Sequence, residues 1–330
     1  MLNKASLYSK HLWLKPNRDP VNLIIGDDLD AALSAVLFLR QHPNAKIIGV
    51  YSKYTTVYYS TACAWNEALD AVWLDLDIYH AQCKSLGHHI LRLNARQELP
   101  GFKTSLNLND LQRKSLEHHF DEKYPLGTIH FLMWLYQQEI PNVADADLLV
   151  WLADSAYINA QTNAFRKRWR AGKAEWEERA GFRRNVKSWL YGAIQVESLL
   201  RTFEQLDTIE FEERMRAFQN KMAAHGLPQG EGQVASRHLK LFGYQCQPVG
   251  DVGAFVVRLL EFCAAQTGWT IAPEQIEPLN RLQAKSGKRV SENLNRVRAQ
   301  GLAQFLETQN VFSYVFTHFD TINYTTLAVA

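Results

Sequence analysis

Through the first half of the chain, short apolar runs alternate with longer stretches in which apolar residues recur every three or four positions. "VNLIIG" (21–26), "AKIIGVY" (45–51) and "AVWLDLD" (71–77) are nearly continuous in apolar side chains, as expected of strands covered on both faces of a parallel sheet. Between the first two, "AALSAVLFLRQ" has the spacing of a helix lying on a sheet, and between the second and third "STACAWNEAL" reads as a shorter helix. "GTIHFLMWLYQQE" (127–139) and "DADLLVWLADSAYIN" (145–159) read as buried helices, the second with strand character at its start. The pattern predicts an α/β N-terminal domain with a parallel sheet and crossover helices.

From about residue 160 the pattern changes. "SWLYGAIQVESLLRTFEQL" and "TIEFEERMRAFQNKMAAH" are long, charged and amphipathic, which predicts a mainly helical second part. "HGLPQGEGQ" (225–233) is the clearest loop, because glycine and proline both interrupt regular structure. The tail "NVFSYVFTHFDTINYTTLAV" is rich in aromatic and β-branched residues and reads as terminal strands. The expected division is an α/β domain over 1–158 and a mainly helical interaction domain over 159–330.

A length of 330 residues favours two domains over one, and 47% apolar against 21% charged residues marks a folded globular chain. No apolar run approaches the roughly 18 uncharged residues that span a bilayer, and the opening "MLNKASLYSKHLWLKPNRDP" lacks the apolar block of a secretory signal. A cytoplasmic protein with no membrane partner is the expectation. Cys63, Cys83, Cys246 and Cys263 form no CxxC pair and no zinc spacing, so buried thiols are expected rather than a disulfide framework or a thiolate metal site. The net charge of +2 names no partner, which leaves any such signal to local patches.

The chemistry gathers where predicted strands end, the place where ligands bind in doubly wound sheets. Asp28 and Asp30 follow the first apolar run in "GDDLDAALS", Asp75 and Asp77 end the third, Asp154 closes "LLVWLADS", and His88 and His89 lie in "SLGHHIL". Each of these alone has a plain structural reading, as a helix cap, a turn residue or a surface histidine pair. Taken together, carboxylates with imidazole and no thiolate suit a hard or borderline divalent ion such as Mn²⁺ or Mg²⁺, and a pair of such ions holds a phosphodiester for attack by water.

The ordered set Asp28-Leu29-Asp30-Ala31-Ala32-Leu33-Ser34, then Asp75, then "GHHI", then "LADS" resembles the DHH phosphoesterase superfamily, with RecJ-like exonucleases and short-oligonucleotide phosphodiesterases among its members. The match covers roughly residues 20–160, and "PLGTIHFLMWLY" is similar to the glycine-led helix that precedes the last aspartate of that family. The resemblance implies that Asp28, Asp30, Asp75, His88 and Asp154 ligate Mn²⁺ or Mg²⁺, with Asp75 bridging two ions. It also implies that His89 contacts the scissile phosphate. Two positions depart from the family: Ile24 stands where a histidine is usual, and Gly87 where the aspartate before the two histidines is usual. Asp27 or Asp77 is the residue available to compensate. A second pair, His118 and His119 in "LEHHFDEKYPLGT", reads as part of an exposed helix.

Two basic segments are candidate substrate surfaces. "RKRWRAGKAEWEERAGFRRNVK" (166–187) has nine basic and three acidic residues, a balance of +6, interleaved by Trp169, Trp176 and Phe182, with Trp189 just beyond. Arg166, Arg168, Trp169, Arg170, Arg183 and Arg184 are accordingly the expected contacts to single-stranded nucleic acid or a nucleotide, the competing reading being a solvated helix with its tryptophans in the core. "RLQAKSGKRVSENLNRVR" (281–298) has six basic residues and one glutamate, a balance of +5. No GGGH-type substrate motif of that family is present. The function expected is a metal-dependent phosphodiesterase or nuclease acting on single-stranded nucleic acid, short oligonucleotides or cyclic dinucleotides. The rivals are a haloacid-dehalogenase-like phosphatase with Asp28 as nucleophile and Asp30 as acid, and a catalytically degenerate nucleic-acid-binding scaffold.

Overall fold

The computed structural model describes residues 2–154, 156–162, 173–227 and 250–327, with backbone alone for 173–179 and 318. It is a mixed α/β protein organised on one nine-stranded sheet in the order β6-β5-β4-β1-β2-β3-β7-β9-β8. The strands are β1 (Val21–Ile25), β2 (Ala45–Ser52), β3 (Thr56–Ser60), β4 (Val72–Leu74), β5 (Lys84–Gly87), β6 (Leu106–Asn107), β7 (Leu282–Asn293), β8 (Val311–His318) and β9 (Thr321–Leu327). The pairings β6–β5, β5–β4, β4–β1 and β1–β2 are parallel, and every pairing from β2–β3 to β9–β8 is antiparallel.

The three apolar runs are β1, β2 and β4, and their continuity has the expected cause. In β1, Leu23 and Ile25 pack into the principal core while Ile24 between them packs on the other face against Ile48 and Trp73. Full burial of a side chain such as Ile24 stabilises the fold by about 2 kcal/mol, which is why the strand's one polar residue, Asn22, stands exposed near its start and none follows it. Position 24 is thus a core position in this chain.

The helix Leu29–Gln41 begins on the N-cap Asp28 and is buried along most of its length, from Leu29 to Leu39. It packs against the helix Thr128–Tyr136, whose residues from Thr128 to Leu135 are buried. The "DADLLVWLADSAYIN" stretch has no strand at its start but two short helices, Ala146–Leu152 and Ala156–Ala160. The helix anticipated in "STACAWNEAL" starts only at Trp65, because Thr56–Ser60 pairs with β2 as strand β3.

Helices Lys173–Gly192, Glu197–Phe203, Ile209–Ala224 and Val252–Thr267 account for the helical character beyond residue 160. Their apolar residues, among them Trp189, Phe203, Phe218 and Val256, join Phe38 and Trp151 in the same core, so apolar packing is continuous across residue 158. The terminal strands form as β8 and β9, and a strand the periodicity had not marked, β7, attaches them to the rest. Its first residues pair with β3 up to Ser286↔Thr56, and from Gly287↔Leu327 onward it pairs with β9. The sheet then curls back: Ser313 of β8 bridges to Ile78 beyond the end of β4, and the Tyr79 amide donates to the Phe312 carbonyl at 2.6 Å. The antiparallel strands thereby arch over the carboxyl ends of β1 and β4. Among the described residues, no helix is long and apolar enough to cross a membrane.

Candidate metal centre

Three adjacent parallel strands end at one point. β1 leads through Gly26 and Asp27 to the helix that carries Asp28 and Asp30, β4 is followed directly by Asp75, and β5 by His88. Ligand atoms of Asp30, Asp75 and His88 all lie within 4.8 Å of one another. Asp30 is 1% exposed, and both its oxygens accept backbone N–H groups at the start of the Thr128–Tyr136 helix, from Thr128 at 2.6 Å and Ile129 at 3.0 Å. A helix N-terminus is a natural seat for a carboxylate. Gly127 makes the approach possible, since a Cβ there would stand 2.6 Å from the Asp30 carboxylate.

Thr128 connects the other two residues. Its hydroxyl donates to Asp75 at 2.6 Å and lies 3.1 Å from Nδ1 of His88. The single hydroxyl proton is directed at Asp75, so the Thr128 oxygen is left to accept from His88; this pattern assigns the His88 proton to Nδ1 and leaves the lone pair on Nε2, the nitrogen 3.8 Å from Asp154. Asp75 and Asp154 both hold left-handed backbone, at φ 60° and 48°. Such conformations cost non-glycine residues about 1 kcal/mol or more each, and they collect at functional sites.

The electrostatics show buried carboxyl groups that raise one another. Burial raises Asp30 and Asp75 well above the ordinary carboxyl range, with the Asp75 charge adding to the first and the Asp28 charge to the second. Burial raises Asp28 as well, with Asp154 adding to it against the hydrogen bond from Ala31. Asp28 is also the helix cap, accepting the Ala31 amide at 2.9 Å, so the capping reading holds for one of its oxygens.

His89 and the two compensating candidates take separate positions. Asp77 is 7% exposed and accepts both the His89 amide at 3.1 Å and His89 Nδ1 at 3.0 Å, while Asn107 donates to its other oxygen at 2.7 Å. Asp27 instead ties down the β2–β3 turn, accepting the Ser52 hydroxyl at 2.6 Å and the Lys53 amide at 3.2 Å, and burial pushes its carboxyl up to about 7. Asn109 donates to the His88 carbonyl at 2.5 Å, so the "NLN" of residues 107–109 grips the backbone of both histidines. His118 is exposed and His119 turns back to Ser115.

Beside the cluster lies a narrow slot of about 30 Å³ lined by Asp75, Asp77 and His89 on one side and by Arg289, Asn323 and Thr325 on the other. Arg289 is half-buried, lies over the Tyr54 ring at 5.8 Å, and has no ion-pair partner among the described residues. Tyr54 belongs to a tight turn in which it and Lys53 are both left-handed, at φ 53° and 55°, a conformation that such hairpin turns usually give to glycine or asparagine. Burial raises the Tyr54 hydroxyl, and Asp28, Asp27, Asp75 and Asp154 add to the effect, which marks that hydroxyl as a neighbour of the carboxylates.

The described part of the first basic segment lies elsewhere. Arg166, Arg168, Trp169 and Arg170 fall outside the described residues, as do Cys246 and the side chain of Trp176. Arg183 is engaged inside the fold, donating to the Ala160 and Phe203 carbonyls, pairing with Asp207 at 3.7 Å and lying 4.2 Å over the Phe203 ring. Arg184 is exposed on a broad groove of about 1110 Å³ with Phe182 and Trp189, and no member of the carboxylate and histidine cluster lines that groove. Thr128, Asn107, Asn109 and Tyr54 are the site residues that the sequence reading missed. For Thr128 a signal was present in its place just after the family-like glycine.

No family model, curated protein or solved structure matches the chain.

Proposed function

We propose that this protein is a metal-dependent phosphodiesterase whose centre is built on Asp30, Asp75 and His88 and flanked by Asp28 and Asp154. The observation that carries this reading is the convergence of two carboxylates and an imidazole, with ligand atoms within 4.8 Å, at the ends of adjacent parallel strands. The donors fit a hard or borderline ion such as Mn²⁺ or Mg²⁺, because they are oxygen and nitrogen without thiolate and their raised carboxyls release protons to a divalent charge. A bound ion would supply the positive charge that polarises a phosphoester and acidifies an attacking water.

The chain's own residues do the rest. The helix N-terminus fixes Asp30, and Thr128 orients Asp75 and His88 together. His89 projects into the slot beside the centre, where its ring contacts a phosphate oxygen. Arg289 on the opposite wall offers its guanidinium to the developing phosphate charge. The substrate class is a phosphodiester in single-stranded nucleic acid, a short oligonucleotide or a cyclic dinucleotide, with the basic residues of β7 as added attraction. A dehalogenase-like phosphatase gains less support, since Asp28 caps a helix and both oxygens of Asp30 are held by backbone amides.

The test is hydrolysis of bis-p-nitrophenyl phosphate and labelled oligonucleotides with Mn²⁺. Wild type is expected to turn over only with metal, and Asp75→Ala to lose about 10³-fold or more. Equal rates in the two proteins, or tight single-strand binding with no metal-stimulated turnover, would move the chain to the class of non-catalytic scaffolds.

A further inference from the structure

Gly87 and Asp77 belong to neighbouring parallel strand ends, and the structure treats them as one position. A Cβ on Gly87 would stand 2.2 Å from an Asp77 carboxylate oxygen, and all three of its nearest contacts would be atoms of that carboxyl group. No side chain fits there while Asp77 is present. The Asp77 carboxylate lies almost wholly out of water, yet it has three donors: the His89 amide and Nδ1 on one oxygen and the Asn107 amide group on the other. Asn107 also donates to the His89 carbonyl at 2.8 Å, so one asparagine and one aspartate hold both the backbone and the ring of a single residue.

The His89 side chain is 38% exposed, lines the slot, and stacks on His88 at 5.0 Å with 20° between the ring planes. A ring half in solvent would otherwise sample several rotamers and either tautomer. A buried carboxylate at 3.0 Å from Nδ1 selects one of each, keeping the proton on Nδ1 and presenting Nε2 as the working atom. We infer that Asp77 is the positioning residue for His89, and that the bare backbone of Gly87 exists to admit its carboxylate: this chain holds its slot-facing histidine from the end of β4, not from the residue before the histidine pair. The inference depends on the phosphodiesterase reading only for the reaction it serves.

The experiment has two arms. In the first, selectively ¹⁵N-histidine-labelled protein is examined by NMR without added metal, with His89→Gln to assign the resonance. Nδ1–H is the expected tautomer in wild type, and Asp77→Ala, which removes the acceptor facing Nδ1, is expected to abolish that preference. A wild-type His89 protonated on Nε2, or a tautomer unchanged in Asp77→Ala, overturns the inference whether or not the protein is an enzyme. In the second, Asp77→Ala is expected to lower kcat on bis-p-nitrophenyl phosphate with Mn²⁺ by about 10- to 100-fold. Gly87→Asp alone is expected to be as damaging, because two carboxylates cannot share that space, whereas the double variant Asp77→Ala/Gly87→Asp recovers activity by supplying the carboxylate from β5. A double variant that melts like wild type but is no faster than either single variant counts against the inference. Wild type without turnover defeats the phosphodiesterase reading and leaves the first arm to decide this one.

Discussion

The parallel and antiparallel halves of the sheet face each other across one slot, and they differ in charge, in burial and in how they are built. The parallel half presents Asp75, Asp77 and His89 from strands covered on both faces, with Ile24, Leu23 and Ile25 fully buried. The antiparallel half presents Arg289, Asn323 and Thr325 from strands that alternate between a packed face and the slot. One half concentrates negative charge where desolvation is most costly, and the other places a half-buried cation where solvent is near. A metal centre needs the first arrangement and substrate capture needs the second. The contrast teaches that burial is concentrated on the carboxylate wall and solvent access on the cationic one.

The sharpest way to break this contrast is to compare the two walls in one assay. Asp75→Ala is expected to abolish metal-stimulated hydrolysis, by about 10³-fold or more in kcat, because it removes a residue of the centre itself. Gly127→Ala should come next. Its Cβ would meet the Asp30 carboxylate at 2.6 Å, and because neither the buried aspartate nor the helix start can yield, the change should destabilise the fold by about 3 kcal/mol as well as disturb the site. A urea melt showing less than about 1 kcal/mol of loss would mean that the parallel half is softer than its packing implies.

A smaller effect distinguishes the halves by pH. His42, fully buried and stacked on Phe38 at 4.0 Å, has its pKa lowered by burial to about 4 from an ordinary 6.5. The unfolded chain therefore binds a proton more readily than the folded one between those values, so this residue's contribution to stability is intact above about pH 6.5 and is lost as pH falls towards 4. The loss amounts to about 2 kcal/mol at pH 5. His130, also at about 4 through burial, acts with the same sign, whereas the raised carboxyls act with the opposite one. Subtracting the melts of His42→Gln from those of wild type at pH 7 and pH 5 isolates the His42 contribution, and a difference that does not change with pH would show that His42 takes up its proton as readily in the fold as in the unfolded chain. Smallest of all, Arg289→Ala should raise KM for an anionic substrate about 10-fold while leaving kcat within a few-fold, and added salt should narrow the gap. A kcat loss equal to that of Asp75→Ala would place Arg289 in the centre and dissolve the distinction between the walls.

The two halves were also unequally legible in the sequence. β1, β2 and β4 were visible because burial on both faces leaves continuous apolar runs, and the acidic residues at their ends stood out against that background. β7 was not visible: "LQAKSGKRVSEN" is polar on both faces, since its structure comes from the strands on either side of it rather than from a buried stripe. Its basic character was evident, but its place opposite His89 is a tertiary fact. Asn107 and Asn109 escaped notice because a short strand of two residues carries no period. Gly87 read as a lost aspartate until the space it leaves was seen to be filled by Asp77, a contact between strands that no local pattern encodes.

The pairing of β3 with β7 has a kinetic consequence. Gln283 donates to the Ser60 carbonyl across 223 residues of chain, whereas the carboxylates and histidines of the centre all lie within residues 28–154. Closing so long a loop is entropically dearer and slower than joining β1, β2 and β4. The expected order is therefore that these carboxylates and histidines come together while β3 is still an uncovered edge and the slot has only one wall. During that interval the carboxylates and histidines face solvent directly, before the antiparallel strands close above them.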